Sequence, residues 1–137
     1  MKAELATAIK TFYDSSDGAS LRALNTGDIW WENAPQAVTE PYIVFSIVSS
    51  SIDESMGGQN DRIEKVDVQF AIISRNDDGG VELGQIETAL MTWLDWNNFA
   101  ISGDFTIIAV ERVGVGSGPI IDEIAQTTLF YSIWVDW

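Results

Sequence analysis

The chain has 137 residues, 46% of them hydrophobic and 20% charged, with no cysteine and no histidine. Those two absences exclude Ser-His and Cys-His catalysis, imidazole and thiolate metal ligands, and disulfides. With 21 acidic against 7 basic residues the net charge is −14, and the few scattered lysines and arginines cannot supply the phosphate contacts on which DNA affinity rests.

The first ten residues mix both charges and lack the continuous apolar core of a secretory signal. Leu5, Ala8, Ile9, Phe12 and Tyr13 recur at three- and four-residue steps, which predicts an amphipathic helix ending at the turn formers Asp14–Gly18. Leu21 and Leu24 suit a short helical turn on the same core, and Asp28–Trp31 a short strand followed by an extended loop at Pro35 and Pro41. Tyr42–Ser51 is strongly β-prone and reads as a central strand. Ile52–Asp61, carrying Met56, Gly57 and Gly58, reads as a loop. In Arg62–Ser74, Val66, Val68, Phe70 and Ile72 alternate with Lys65, Asp67 and Gln69, so this strand should pair with Tyr42–Ser51 as a long antiparallel hairpin.

Asn76–Gly80 offers a turn and an N-cap with acids at the positive end of a second helix, Val81–Leu94, whose stripe is Val81, Leu83, Ile86, Leu90, Trp93 and Leu94. Asn97 and Asn98 suit its exit. Phe105–Val113 and Ala125–Trp137 read as two final strands, joined by a glycine-rich, mobile-looking loop, Gly114–Pro119. The fold class is therefore α+β in one domain, residues 1–137: a mostly antiparallel sheet of four or five strands with two helices packed on one face. The longest uncharged stretches, Pro41–Ile52 and Ile124–Val135, fall short of the roughly 20 residues of a membrane-spanning helix.

Gly114-x-Gly116-x-Gly118 lacks the parallel strand and following helix of a dinucleotide site, and Asn76–Gly80 lacks the alternating ligands of a calcium loop. The acidic pairs Asp53-Glu54 and Asp122-Glu123 read as solvated loop charge. No catalytic residue, cofactor or metal site is expected. Tryptophan is more informative. Trp93 fits the helix stripe and Trp137 the core side of the last strand. Trp30 and Trp31 are adjacent, so one should point away from the core, and Phe130 and Trp134 share the outer face of the last strand. Either other segments cover these aromatics, or they form a subunit or partner interface. The candidate interface residues are Trp30, Trp31, Phe130, Trp134, Ile52, Met56, Gly57, Gly58, Val115, Ile120 and Ile121.

The run Leu21-x-x-Leu24, Gly27-Asp28-Ile29-Trp30, Ala34-Pro35-Gln36 and Pro41-Tyr42-Ile43-Val44-Phe45, with Ser49, resembles the small tail completion, or tail terminator, proteins of long-tailed bacteriophages. The order of elements is similar over nearly the whole chain. The resemblance implies a structural virion protein that forms a ring, typically of six subunits, at the head-proximal end of the tail tube. It would stop tube polymerisation and offer the head its docking surface, after assembly in the host cytoplasm. Implied partners are further copies of itself, the major tail tube protein and a head-completion or connector protein. No enzymatic activity, cofactor or membrane is implied, and DNA would pass through without specific binding. Six copies at −14 each would carry roughly −84, which keeps DNA from adhering and predicts a monomer in dilute solution. The alternatives are another neck component, such as a head-closure or connector protein, and a small acidic ligand-binding domain.

Overall fold

The computed structural model describes residues 1–53, 63–75 and 79–136. In chain order these form α1 (Lys2–Asp14), a single 3-10 turn, α2 (Ala19–Leu24), β1 (Ile29–Trp31), β2 (Tyr42–Asp53), β3 (Ile63–Arg75), α3 (Val81–Leu94), β4 (Thr106–Ser117) and β5 (Ile124–Asp136). The strands make one sheet in the order β1-β2-β3-β5-β4, antiparallel throughout except for the parallel pair β1 and β2. The fold is α+β, with three helices, one of them short.

Alternation decides what the sheet buries. Ile43, Phe45 and Ile47, then Val66 to Ile72 at every second position, then Leu129, Tyr131, Ile133 and Val135, are buried together with Leu5, Ile9, Tyr13, Leu21, Ile86, Leu90 and Trp93 of the helices. Phe70 sits at the middle of this core. It stacks on Phe45 at 5.8 Å and meets Trp93 and Tyr131 edge-on at 6.2 and 5.7 Å. Phe12 of α1 lies between Trp93 and Phe99, at 5.2 and 5.0 Å, so α1 and the end of α3 are joined through aromatic faces.

Helix α1 ends where Arg22 reaches back to donate to the main-chain carbonyl oxygens of Tyr13 and Ser15, a cation placed at the negative end of the helix. The turn into β1 is held by backbone and side-chain-amide donors. Gly27 N–H donates to the Pro41 carbonyl at 2.8 Å, and Asn25 donates to the Asp28 carbonyl at 2.9 Å. At the start of α3 the N-cap is Gly80, in the left-handed region. Asn76, Asp77 and Asp78 lie outside the described residues. Glu82 in the first turn of α3 accepts a hydrogen bond from buried Ser74 at 2.7 Å and ties α3 to β3.

Two sequence expectations need correction. Gly114–Ser117 is not a mobile loop but the last third of β4, paired with Thr127–Phe130. Gly114 and Gly116 face Phe130 and Thr128, and a Cβ on Gly116 would stand 3.6 Å from the Phe130 ring. Gly116 therefore leaves room beside an aromatic side chain, whereas an added Cβ at Gly114 would meet nothing within 4 Å; composition alone does not distinguish such strand glycines from a loop. Ile52, read as loop, belongs to β2 and pairs with Glu64.

Tyr131 gives the fold an alkaline limit. Its hydroxyl donates to Asp95 Oδ1 at 2.5 Å, and burial, followed by this carboxylate, pushes its pKa well above the tyrosine range. Burial also raises Tyr13. A raised folded-state pKa contributes stability that is complete below the unfolded tyrosine value of about 10 and is lost as pH climbs through the folded value. Urea midpoints should therefore fall above about pH 10. Tyr131→Phe should cost about 1–2 kcal/mol at neutral pH and lose less stability on the way to about pH 11 than the parent. An identical alkaline slope in both proteins would rule out Tyr131 as the cause.

Candidate interaction surfaces

The sheet face opposite the core carries cross-strand rows set by register. One row runs Ser51, Lys65, Trp134, Ala109; the next Ser49, Asp67, Ser132, Glu111; the next Ser46, Gln69, Phe130, Gly114. In the first, the Lys65 ammonium lies 5.8 Å from the centre of the Trp134 ring. In the second, Asp67 accepts from Ser49 at 2.8 Å and from Ser132 at 2.9 Å. This polar row separates Phe130 from Trp134, so the two do not make one continuous aromatic patch.

Each flanking strand carries a bulge here, at Val48 in β2 and at Val113 in β4. A bulge inserts one unpaired residue and turns its side chain out of the regular alternation. Val48 and Val113 stand on either side of a groove of about 330 Å³ above Asp67, Gln69, Phe130 and Ser132. Both valines are more than half exposed.

The remaining candidates do not converge on this groove. Trp30 lies on the same sheet face, beside Val44, with its indole N–H donated to the Gly27 carbonyl at 2.8 Å. Trp31 is on the other side, in step with buried Ile29, because residues two apart in a strand share a face. It walls a hollow of about 270 Å³ at the β1 edge with Ala6, Thr7, Lys10, Thr11 and Phe45. Lys10 is held there by Asp28 at 2.7 Å and Asp14 at 3.2 Å, which keep its pKa raised against the opposing effect of burial. Val115 is on the core side of β4 but exposed, and Ile120 and Ile121 are exposed at the β4–β5 tip, where Asp122 and Glu123 take positive φ. Met56, Gly57, Gly58 and Trp137 lie outside the described residues.

Trp96 is the residue that neither periodicity places. It is 77% exposed and has φ 62°, a left-handed backbone costly for a residue with a Cβ. Its neighbours hold it there. Asp95 is bonded to Tyr131 and lies 3.6 Å from the Arg112 guanidinium, Asn97 donates to the Trp93 carbonyl at 2.7 Å, and Asn98 to that of Ile108 at 3.2 Å. An indole just past the last stripe residue, Leu94, among Asp95, Asn97 and Asn98, was the signal available in the sequence.

Among the described residues no group of three or more acidic side chains is placed to hold a metal ion, and no helix is long and apolar enough to cross a membrane. These surfaces offer shape, aromatic rings and a few charges. The family model of "Tail completion protein gp17" matches residues 16–134. The chain belongs to this family. A tail completion protein is a structural component of the phage tail, and the present chain has that role.

The fold agrees. A chain from the virion of a native gene transfer agent particle is similar with a TM-score of 0.70 at 13% identity, covering 96% of this chain and 97% of its own. A second solved chain has a TM-score of 0.56 at 15% identity, covering 97% of this chain and 95% of its own. No curated protein matches the sequence. The matched region of this tail completion protein begins just after α1 and takes in Gly27–Trp30 and Pro41–Phe45, the segments that the Gly27–Pro41 hydrogen bond and the parallel β1–β2 pair bring side by side.

Proposed function

We propose that this tail completion protein is the tail terminator: a ring, hexameric by family resemblance, at the head-proximal end of the tail tube. The ring stops addition of tube subunits and gives the DNA-filled head its docking surface. The observation that carries this reading is the family match over residues 16–134. The surfaces support it, because exposed apolar side chains occur on both edges of the sheet and on its outer face, as a subunit with several neighbours requires. The charge of −14 suits a channel that DNA crosses without adhering.

A phage lacking this gene should accumulate full heads and unjoined tails with tubes of unregulated length in electron micrographs. Joined virions with tubes of normal length would contradict the proposal. If heads and tails stay apart but tube length is normal, the protein is a head-side neck component.

Trp134→Glu probes the outer face. The new carboxylate lies opposite Lys65, a cross-strand pair worth about 0.2–1 kcal/mol, so the monomer should keep its fold with little change in urea midpoint. Tail joining should be lost. Normal joining by a folded Trp134→Glu protein would remove this face from the list of contacts.

A further inference from the structure

We propose that the groove between the two bulges seats an arginine side chain of another virion protein, its guanidinium on Asp67 and its aliphatic stem between Val48 and Val113. This goes beyond the ring reading. It names a partner chemistry for the outer sheet face, whether that partner belongs to the tail tube or to the head.

Asp67 carries the inference. Its carboxylate lines the groove, where one oxygen accepts from Ser49 and the other from Ser132. An ionised carboxylate has about four acceptor positions, so two remain after these bonds. Among the described residues no cation pairs with it. The Lys65 ammonium, one row away, lies over the Trp134 ring instead. Glu111 adds a second carboxylate to the row of Asp67, on the far side of Ser132. Any occupant of the groove takes Asp67 out of water with only two neutral donors, and a charge so covered is costly unless an opposite charge meets it. An apolar or acidic occupant leaves that cost in place. A cation removes it.

The rest of the groove favours arginine among cations. A planar guanidinium can bond a carboxylate through two N–H groups and stack on an aromatic face, here the exposed ring of Phe130. Val48 and Val113, turned out by their bulges, give the methylene stem an apolar seat. At about 330 Å³ the groove is at the low end of the roughly 300–1,000 Å³ of sites that hold small molecules, which suits one long side chain. The two serine bonds fix the carboxylate before binding, which lowers the ordering cost. Within the chain Arg22, Arg112 and Lys10 are already held by their own partners. With 21 acidic against 7 basic residues, copies of the chain repel one another and a basic partner is attracted.

The test titrates the purified, isotope-labelled protein with acetyl-Gly-Arg-Gly-amide, and with the same peptide carrying citrulline or lysine instead of arginine. About 0.15 M salt sets a screening length of roughly 8 Å and suppresses the pull of distant acids. NMR shifts should concentrate at Val48, Gln69, Val113 and Ser132. Arginine should bind at least about tenfold more tightly than citrulline, as expected for a charge-assisted pair, and more tightly than lysine. Asp67→Asn, which keeps the shape but not the charge, should bring arginine down to the citrulline level. Phe130→Leu should bring it down to the lysine level, and this variant decides the matter if Asp67→Asn does not fold. Shifts spread over Asp28, Glu32, Asp122 and Glu123, and unchanged by Asp67→Asn, would show adhesion by net charge alone and overturn the proposal. Equal binding of arginine and citrulline would give the groove to a neutral occupant. Groove shifts that grow with protein concentration, without peptide, would give it to a second copy. Either result overturns the proposal, as does the absence of any shift at the groove. The protein is alone in this titration, so such a failure leaves the terminator reading standing.

Discussion

Replacing Phe70 with alanine should cost about 3–5 kcal/mol, near the upper end of what core truncation removes. The ring is fully buried and touches Phe45, Trp93 and Tyr131, so its loss opens a space bounded by β2, α3 and β5 at once. These neighbours cannot collapse into it together, because Trp93 is also stacked on Phe12 and Tyr131 is bonded to Asp95. A domain of this size commonly has about 5–15 kcal/mol in total. The variant should therefore show a large drop in urea midpoint, with partial unfolding at ambient temperature if the parent is at the low end. A loss below about 1 kcal/mol would mean that the sheet and α3 are not packed through this ring.

Gly27→Ala should be nearly as damaging, for a different reason. A Cβ at this position would stand 2.4 Å from the Pro41 carbonyl oxygen, 2.6 Å from that of Thr39 and 2.9 Å from Tyr42 Cβ. The first two are backbone atoms, so no rotamer change relieves the clash. The Gly27–Pro41 hydrogen bond and the parallel pairing of β1 with β2 must give way. The expected loss is about 3 kcal/mol, the upper end of overpacking penalties. Gly84→Ala is the matched control. Gly84 lies within α3 with nothing within 4 Å of an added Cβ, so alanine there should raise stability by about 0.5–1 kcal/mol. Urea midpoints that move in opposite directions for the two variants would support this account, whereas equal and small shifts would contradict it.

The same clash explains why short, apolar motifs could be read in the sequence at all. Gly27-Asp28-Ile29-Trp30 and Pro41-Tyr42 resemble a family pattern because they are two halves of one contact, in which only glycine fits and the Trp30 indole closes back onto the Gly27 carbonyl. Helix α3 and the pairing of β2 with β3 were legible because the period of 3.6 in α3 and the period of 2 in β3 and the first half of β2 leave little choice of face. What escaped was local. Bulges at Val48 and Val113 break the alternation without any marker residue. The alternating glycines of β4 have the composition of a loop, and their partner Phe130 lies more than ten residues further on. Adjacency required one of Trp30 and Trp31 to point away from the core without saying which, and the two-residue spacing from buried Ile29 puts Trp31 on the core side at the β1 edge. Trp96 belongs to no period, because its exposure is set by hydrogen bonds of Asp95, Asn97 and Asn98 to three separate elements.

The proposed role of this tail completion protein is to end the tail tube. Its most direct test is electron microscopy of tail tubes incubated with the purified protein and then with fresh tube subunits. A ring at one end of each tube, no growth from that end, and heads joining there are expected. Continued growth from both ends, or binding only to heads, would contradict it.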